Sequence, residues 1–436
     1  MKIRKLLVIG LVLGLLLTAC EAFPFDLPII VDRPSTPTPP AQDVLEGTPT
    51  PDPLPVDEPT PSPITDLTIW VPPDMDPSLE TDSSTLFANR LQSFSDLHGG
   101  IDINVRVKAA SGAGGLLDSL TATNAAAPAA LPDLIVLSRP DLETAALKGL
   151  IFPLDGLTEI PDDPDWYGFS QDMALLQGST FGLPFAADSL VIVYRPGNIP
   201  EFPETWDELV ESGIVLAFPS ESDQALFPLA LYQAEGGRII DSQRRPLLEV
   251  EPLTEVFRLF EAGLETGTFP DWLNQYQTQG QVWTAFRDGQ VDQVVTWSSN
   301  FLKEIPADAM MMPLHPGSEA TVTIGTGLIW TIPTLEEHRH PIAIQLAEYL
   351  VQPEYLSAWT SESGYIPPRP SSLEGWQNQS LRSIVSQVAL MTRLRPSNDI
   401  LTSLGPALRD GTRQILQEQV DPAQAAQVAN ENLEDS

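Results

Sequence analysis

The stretch from residue 181 to 209, FGLPFAADSLVIVYRPGNIPEFPETWDEL, constrains the fold of this chain more than any other. After Gly182-Leu183-Pro184 it runs into a nearly unbroken apolar segment, Leu190 to Tyr194, and then through Pro196-Gly197 to a helix start at Thr205. An apolar run rich in β-branched residues and bounded by turn residues reads as a strand buried on both faces, the pattern of a parallel sheet with helices on each side. Thr205 and Glu208 are spaced as a capping box, in which hydroxyl and carboxylate each satisfy a free backbone donor. Strand, turn and capped helix in that order predict an α/β architecture.

Asp188 interrupts the apolar run. Stripping water from an unpaired carboxylate costs several kcal/mol, so this side chain needs partners. Two uses are open: it caps nearby backbone amides, or it faces a cleft.

Residues 1–19 read as an address. Lys2, Arg4 and Lys5 precede an apolar run, Leu6 to Leu17, and Leu17-Thr18-Ala19-Cys20 has the small residues of a cleavage site. The run is too short for a comfortable membrane span. Cys20 is the single cysteine, so no disulfide or zinc-thiolate site forms within one chain. From residue 20 to 65 the repeated PSTPTPP, TPTPDPLP and EPTPSP segments predict a semi-rigid, polyproline-like tether, able to reach on the order of 100 Å when mostly extended.

The rest, 66–436, is long enough for two lobes with large cores. A formal charge of −36 disfavours nucleic acid and anionic lipid surfaces as partners. Leu67 to Val71, the alternating Ile101, Ile103, Val105 and Val107, and Asp133 to Leu137 read as strands, with a helical spacing at Phe87, Leu91, Phe94 and Leu97 between the first two. The Ser111 to Gly115 segment precedes a helix but lacks the Gly-Lys-Ser/Thr of a nucleotide loop, so a tight turn is its expected use. In open sheets ligands lie beyond the carboxyl ends of strands, which brings forward Ser138 and Arg139; Arg139 could equally pair with Asp141 or Glu143. Val282 to Gly289 predicts a helix with a glycine stop, Val291 to Thr296 a strand, and Trp297-Ser298-Ser299-Asn300 its carboxyl end. An indole face packs on sugar rings while hydroxyls and amides bond to hydroxyls; alternatively Trp297 is core and a serine is an N-cap.

Several segments in order resemble one family. Gly182-Leu183-Pro184-Phe185-Ala186-Ala187-Asp188 with Tyr194, and Pro203 with Thr205-Trp206-Asp207-Glu208-Leu209, are similar to the lobe-crossing segment of bacterial extracellular solute-binding proteins, family 1, the maltose-binding-protein type that serves ABC importers. Arg195-Pro196 departs from that pattern. Further similar segments are Gly149 to Asp155, Phe286 to Ser298, the glycine-rich Ile324 to Pro333, Gly364-Tyr365-Ile366-Pro367-Pro368-Arg369 and the helical tail from Leu404 to Leu433. Leu17 to Cys20 resembles the bacterial lipobox, which implies lipid on Cys20.

The resemblance implies a two-lobe, type II periplasmic-binding-protein-like fold, each lobe a mostly parallel sheet flanked by helices. Crossings near 187, 309 and 352 would divide it into lobe I, 66–187 plus 309–352, and lobe II, 188–308 plus 353–436. It implies an extracytoplasmic, lipid-anchored monomer that captures a solute, with a sugar or oligosaccharide first among candidates, and delivers it to membrane permeases. The expected ligand contacts are Trp297, Ser298, Ser299 and Asn300 from one lobe, Trp70, Ser138, Arg139 and Trp330 from the other, Asp188 at the hinge, and Tyr365 and Arg369 near the cleft. No cofactor, metal or catalytic group is implied. His98, His315, His338 and His340 are scattered, and no His-Glu-x-x-His or Gly-x-Ser-x-Gly arrangement occurs. A sensory or adhesive lipoprotein of the same fold, and a carbohydrate-active hydrolase, are the competing readings.

Overall fold

The computed structural model describes residues 64–314 and 322–434; the expectations for residues 1–19, for Cys20, for the tether up to residue 63 and for His315 lie outside the described residues. Strands β1 (Asp66–Val71), β2 (Asp102–Val107) and β3 (Leu134–Ser138) are parallel, with β1 in the middle. A hairpin, β4 (Leu175–Leu176) and β5 (Ser179–Thr180), precedes β6 (Leu183–Tyr194). Then come β7 (Leu216–Ala217), β8 (Gln293–Trp297), β9 (Met310–Pro313), β10 (Thr323–Thr331) and β11 (Thr392–Leu394). The order across the sheet is β2-β1-β3-β10-β6-β8-β7, with β11 on β10 and β9 on β6.

β6 joins the two halves. From Leu183 to Ser189 it pairs with β10; from Leu190 to Tyr194 it pairs with β8 on one edge, and from Val191 to Tyr194 with β9 on the other. Every residue but Tyr194 is buried, as the apolar run predicts. All its pairings are antiparallel, however, where a parallel strand is expected. Burial on both faces comes from the layers that cover a strand and carries no information on its direction: Leu183 and Phe185 enter one core cluster, Ala187 and Leu190 to Val193 the other.

Two lobe boundaries differ from the expectation. Met310–Pro313 pairs with the second half of β6, so the return to the first half falls between Pro313 and Thr323 rather than at 309. After 352 the helix Pro353–Ser363 stays with the first half: Tyr355, Leu356 and Trp359 share a core with Leu67, Phe87 and Trp330. Helical spacing identifies such segments, but only tertiary packing decides which sheet they cover. The helices Asn398–Leu416 and Pro422–Glu434 pack on Val250–Thr266 and close the second half.

Local chemistry follows the sequence with small changes. Thr205 Oγ1 accepts from Glu208 N at 3.1 Å, but the Glu208 carboxylate accepts from Glu204 N (2.8 Å) instead of the N-cap amide. The glycines of β10 admit neighbouring protein atoms. A Cβ on Gly327 would stand 2.2 Å from the Ala186 carbonyl oxygen, and one on Gly325 would stand 2.3 Å from Thr392 Cγ2. Gly115 makes the tight turn expected before the helix Leu116–Ala126, where a Cβ would meet the Ser111 carbonyl carbon at 2.8 Å. Among the described residues no helix is long and apolar enough to cross a membrane.

Candidate functional site: a recess at the strand ends

Ser138 ends β3 and Trp297 ends β8, and both strands point their carboxyl ends toward the same recess, whose volume is about 410 Å³. The first half contributes Ser138, Pro140 and Thr326. The second half contributes Trp297, the turn Ser222-Asp223-Gln224 beyond β7, and Gln277 to Gln279 at the start of the helix Gln279–Arg287. Asp188 and Arg395 complete the lining.

Asp188 is 8% exposed and serves both of its expected roles. Its Oδ1 accepts from Ser189 N (3.0 Å), Ser298 Oγ (2.7 Å) and Ser299 N (3.0 Å), and its Oδ2 accepts from Ser299 Oγ (2.5 Å). The carboxylate therefore caps the helix Ser298–Glu304 across the change of pairing in β6 while bordering the recess. Burial pushes its pKa above the ordinary carboxylate range, against the hydrogen bonds from Ser299 and Ser298 and the nearby Lys303 charge. Ser298 and Ser299 are buried and spend their hydroxyls on Asp188, so they position the acid instead of lining the recess themselves. Asn300 donates its amide to Thr296 Oγ1 at 2.8 Å.

Ser138 caps the helix Arg139–Leu147 by accepting from Asp141 N at 3.3 Å. Arg139 is buried and donates from Nη2 to Leu175 O at 3.3 Å; burial lowers its pKa. It forms no ion pair with Asp141 or Glu143, the alternative the spacing left open. Arg395 stands close enough for the two guanidinium charges to repel, and burial in the main brings its pKa down to about 10. Its Nη1 donates to Asn398 Oδ1 at 2.9 Å.

Four expected contacts lie elsewhere. Trp330 is fully enclosed, edge-on to Phe185 at 5.6 Å between ring centres and stacked on Phe87 at 6.4 Å. β10 runs against β3, so Trp330 pairs with Val136 in mid-strand, while the far end of β10 carries Thr326 to the recess. Trp70 pairs with Ile135, is 2% exposed, and has the Lys108 ammonium 4.3 Å from its ring centre. Arg369 is 3% exposed; it donates to Asp163 Oδ2 at 2.9 Å and lies 4.0 Å over the Trp166 ring, a clip for the start of the helix Pro370–Glu374. Tyr365 stacks on Trp359 and donates to Asp74 Oδ2 at 3.3 Å, with Lys303 Nζ 4.8 Å from its ring centre. Burial is the main reason its pKa is pushed up to about 12.

The sequence reading missed Thr326, Arg395 and the polar residues of Ser222 to Gln224 and Gln277 to Gln279. The rule that singled out Ser138 also reaches Ser222 to Gln224, which lie beyond the end of β7. No local signal marks Arg395, because it reaches the recess only through β11 pairing with β10.

This is the two-lobed, type II periplasmic-binding-protein fold. A MalE sugar-binding protein from Xanthomonas citri superposes with a TM-score of 0.69 at 18% identity, over 85% of this chain and 97% of that one. A cyclo/maltodextrin-binding protein complexed with maltotetraose gives 0.70 at 17% identity, over 86% and 98%. In sequence, residues 89–382 match the family described as bacterial extracellular solute-binding protein, and the chain belongs to that family. It is 26% identical over 253 residues to the maltotriose-binding protein of Pyrococcus abyssi, a match that spans 54% of each chain, about half the length of that relative.

Proposed function

We propose that this protein is the extracytoplasmic capture subunit of an ABC importer for a sugar or oligosaccharide, held at the membrane by lipid on Cys20 and delivering its solute to permease subunits. One observation carries the reading. The recess is built from both sides of β6, with a partly buried indole at Trp297 beside hydroxyl and amide groups from Ser138, Thr326, Gln277 and Gln279. The indole face suits a pyranose ring, and the polar groups suit its hydroxyls. The similarity to a maltotriose-binding protein and to a maltodextrin-binding protein complexed with maltotetraose supports an oligosaccharide.

The working step is closure. A solute bridging Ser138 and Thr326 on one side and Trp297 on the other stabilises the closed arrangement by its differential affinity for it. The chain would cross between lobes at Ser189–Leu190, again between Pro313 and Thr323, and again after Ser363. The protein holds the solute and releases it unchanged. The test is isothermal titration of the full chain with a panel of mono- and oligosaccharides. Saturable binding with the sugar recovered intact supports the reading; turnover of the sugar counts against it.

A further inference from the structure

The recess holds a buried cation without a counter-ion in contact. We propose that the captured solute is an anionic saccharide, carrying a carboxylate or a phosphate, and that Arg395 receives the anion. This inference rests on the saccharide reading above.

Arg395 is 6% exposed and borders the recess, yet its guanidinium has one hydrogen bond, to Asn398, and no ion pair. Arginine is seldom buried to this degree without a carboxylate against it. No nearby acid is in ion-pair contact with it. Asp188 is taken up by Ser189, Ser298 and Ser299. Asp223 also borders the recess, but its side chain, 84% exposed, is paired with Arg409. Glu143 accepts from Asn398 N at 2.9 Å through Oε1, and its Oε2 has no partner. Asp141 and Glu143 moderate the Arg395 charge through space, but neither is in ion-pair contact with it.

Behind Arg395 stands a second buried guanidinium, Arg139, whose Nη1 has no partner. Three helices of 9 residues also begin at or beside the recess: Arg139–Leu147 after Ser138, Leu226–Ala234 after Gln224, and Gln279–Arg287 at Thr278. Their amino-terminal ends add partial positive charge. The free donors of Arg395 form a planar fork suited to two oxygens of a carboxylate or phosphate.

The test is titration of the full chain with matched solutes: glucose against glucuronate and glucose 6-phosphate, and α-1,4-linked galactotriose against trigalacturonate. The expected result is at least tenfold tighter binding of an anionic member than of its neutral counterpart. In Arg395→Gln that ratio falls toward one, and in Arg395→Lys much of it remains. Preference confined to the phosphate arm, or to the uronate arm, supports the inference and identifies the anion. Neutral sugars bound as tightly as the anions, or more tightly, would overturn it and leave saccharide capture standing. Binding of no saccharide would overturn both.

Discussion

Trp330 and Trp297 both sit at or near the carboxyl end of a strand, and they have opposite fates. Trp330, one residue from the end of β10, is sealed among Phe87, Phe185 and Trp359. Trp297, the last residue of β8, is partly exposed on the recess. The difference is which end of the strand lies at the recess: both strands run antiparallel to β6, but β8 ends there beside Leu190 whereas β10 starts there beside Ser189. β8 runs parallel to β7, and its end opens where the loop after β7 also turns. β10 runs antiparallel to β3, which returns Trp330 to the interior. Residue type and position near a strand end are therefore insufficient; whether that end meets the recess decides whether an indole is enclosed in the core or left exposed.

Four experiments sharpen that contrast. Trp330→Ala should destabilise the protein by about 3–5 kcal/mol in chemical denaturation, because it leaves a large cavity in an enclosed cluster. Arg369→Ala should cost about 2 kcal/mol in the same assay, through loss of charged hydrogen bonding to Asp163, while solute affinity stays put. Trp297→Ala should do the reverse. We expect at least a tenfold rise in Kd, roughly 1.4 kcal/mol, with a smaller change in stability than Trp330→Ala gives. If the two tryptophan variants lost stability and affinity in the same proportions, the contrast would collapse.

The smallest effect concerns Asp188. Its folded pKa lies above the ordinary carboxylate value, so the native state holds this proton more tightly than the unfolded state does. The stabilising contribution is thus full below the unfolded pKa and is lost as pH rises through the folded one. Relative to Asp188→Asn, which keeps an acceptor for Ser189, Ser298 and Ser299, the wild type should lose stability as pH climbs from the acid side to neutrality. A difference between the two proteins that does not vary with pH, or that varies with the opposite sign, would remove Asp188 from this role.

Much of the architecture was legible in residues. The run through β6, the alternation of β2 and the glycine stop at Gly289 each express local geometry, and each forms where expected. Ser138, Asp188 and Trp297 stand out in sequence as a strand end, a misplaced charge and a strand end, and all three line one recess. Arg395 and Thr326 do not, since strand pairing across more than sixty residues places them there. Trp70, Trp330 and Arg369 show the converse: an aromatic or cationic residue in a family-like segment reads alike whether it faces a ligand or a neighbouring helix.

Capture of a saccharide at the recess, without turnover, is open to a thermal-shift titration of the full chain and Trp297→Ala with the saccharide panel. A solute at 100 times its Kd adds about 2.7 kcal/mol to stability. The wild type should show a clear rise in Tm and the variant a weaker one at the same concentration, with the sugar recovered unchanged. An equal rise in both proteins, or consumption of the sugar, would contradict capture at the recess.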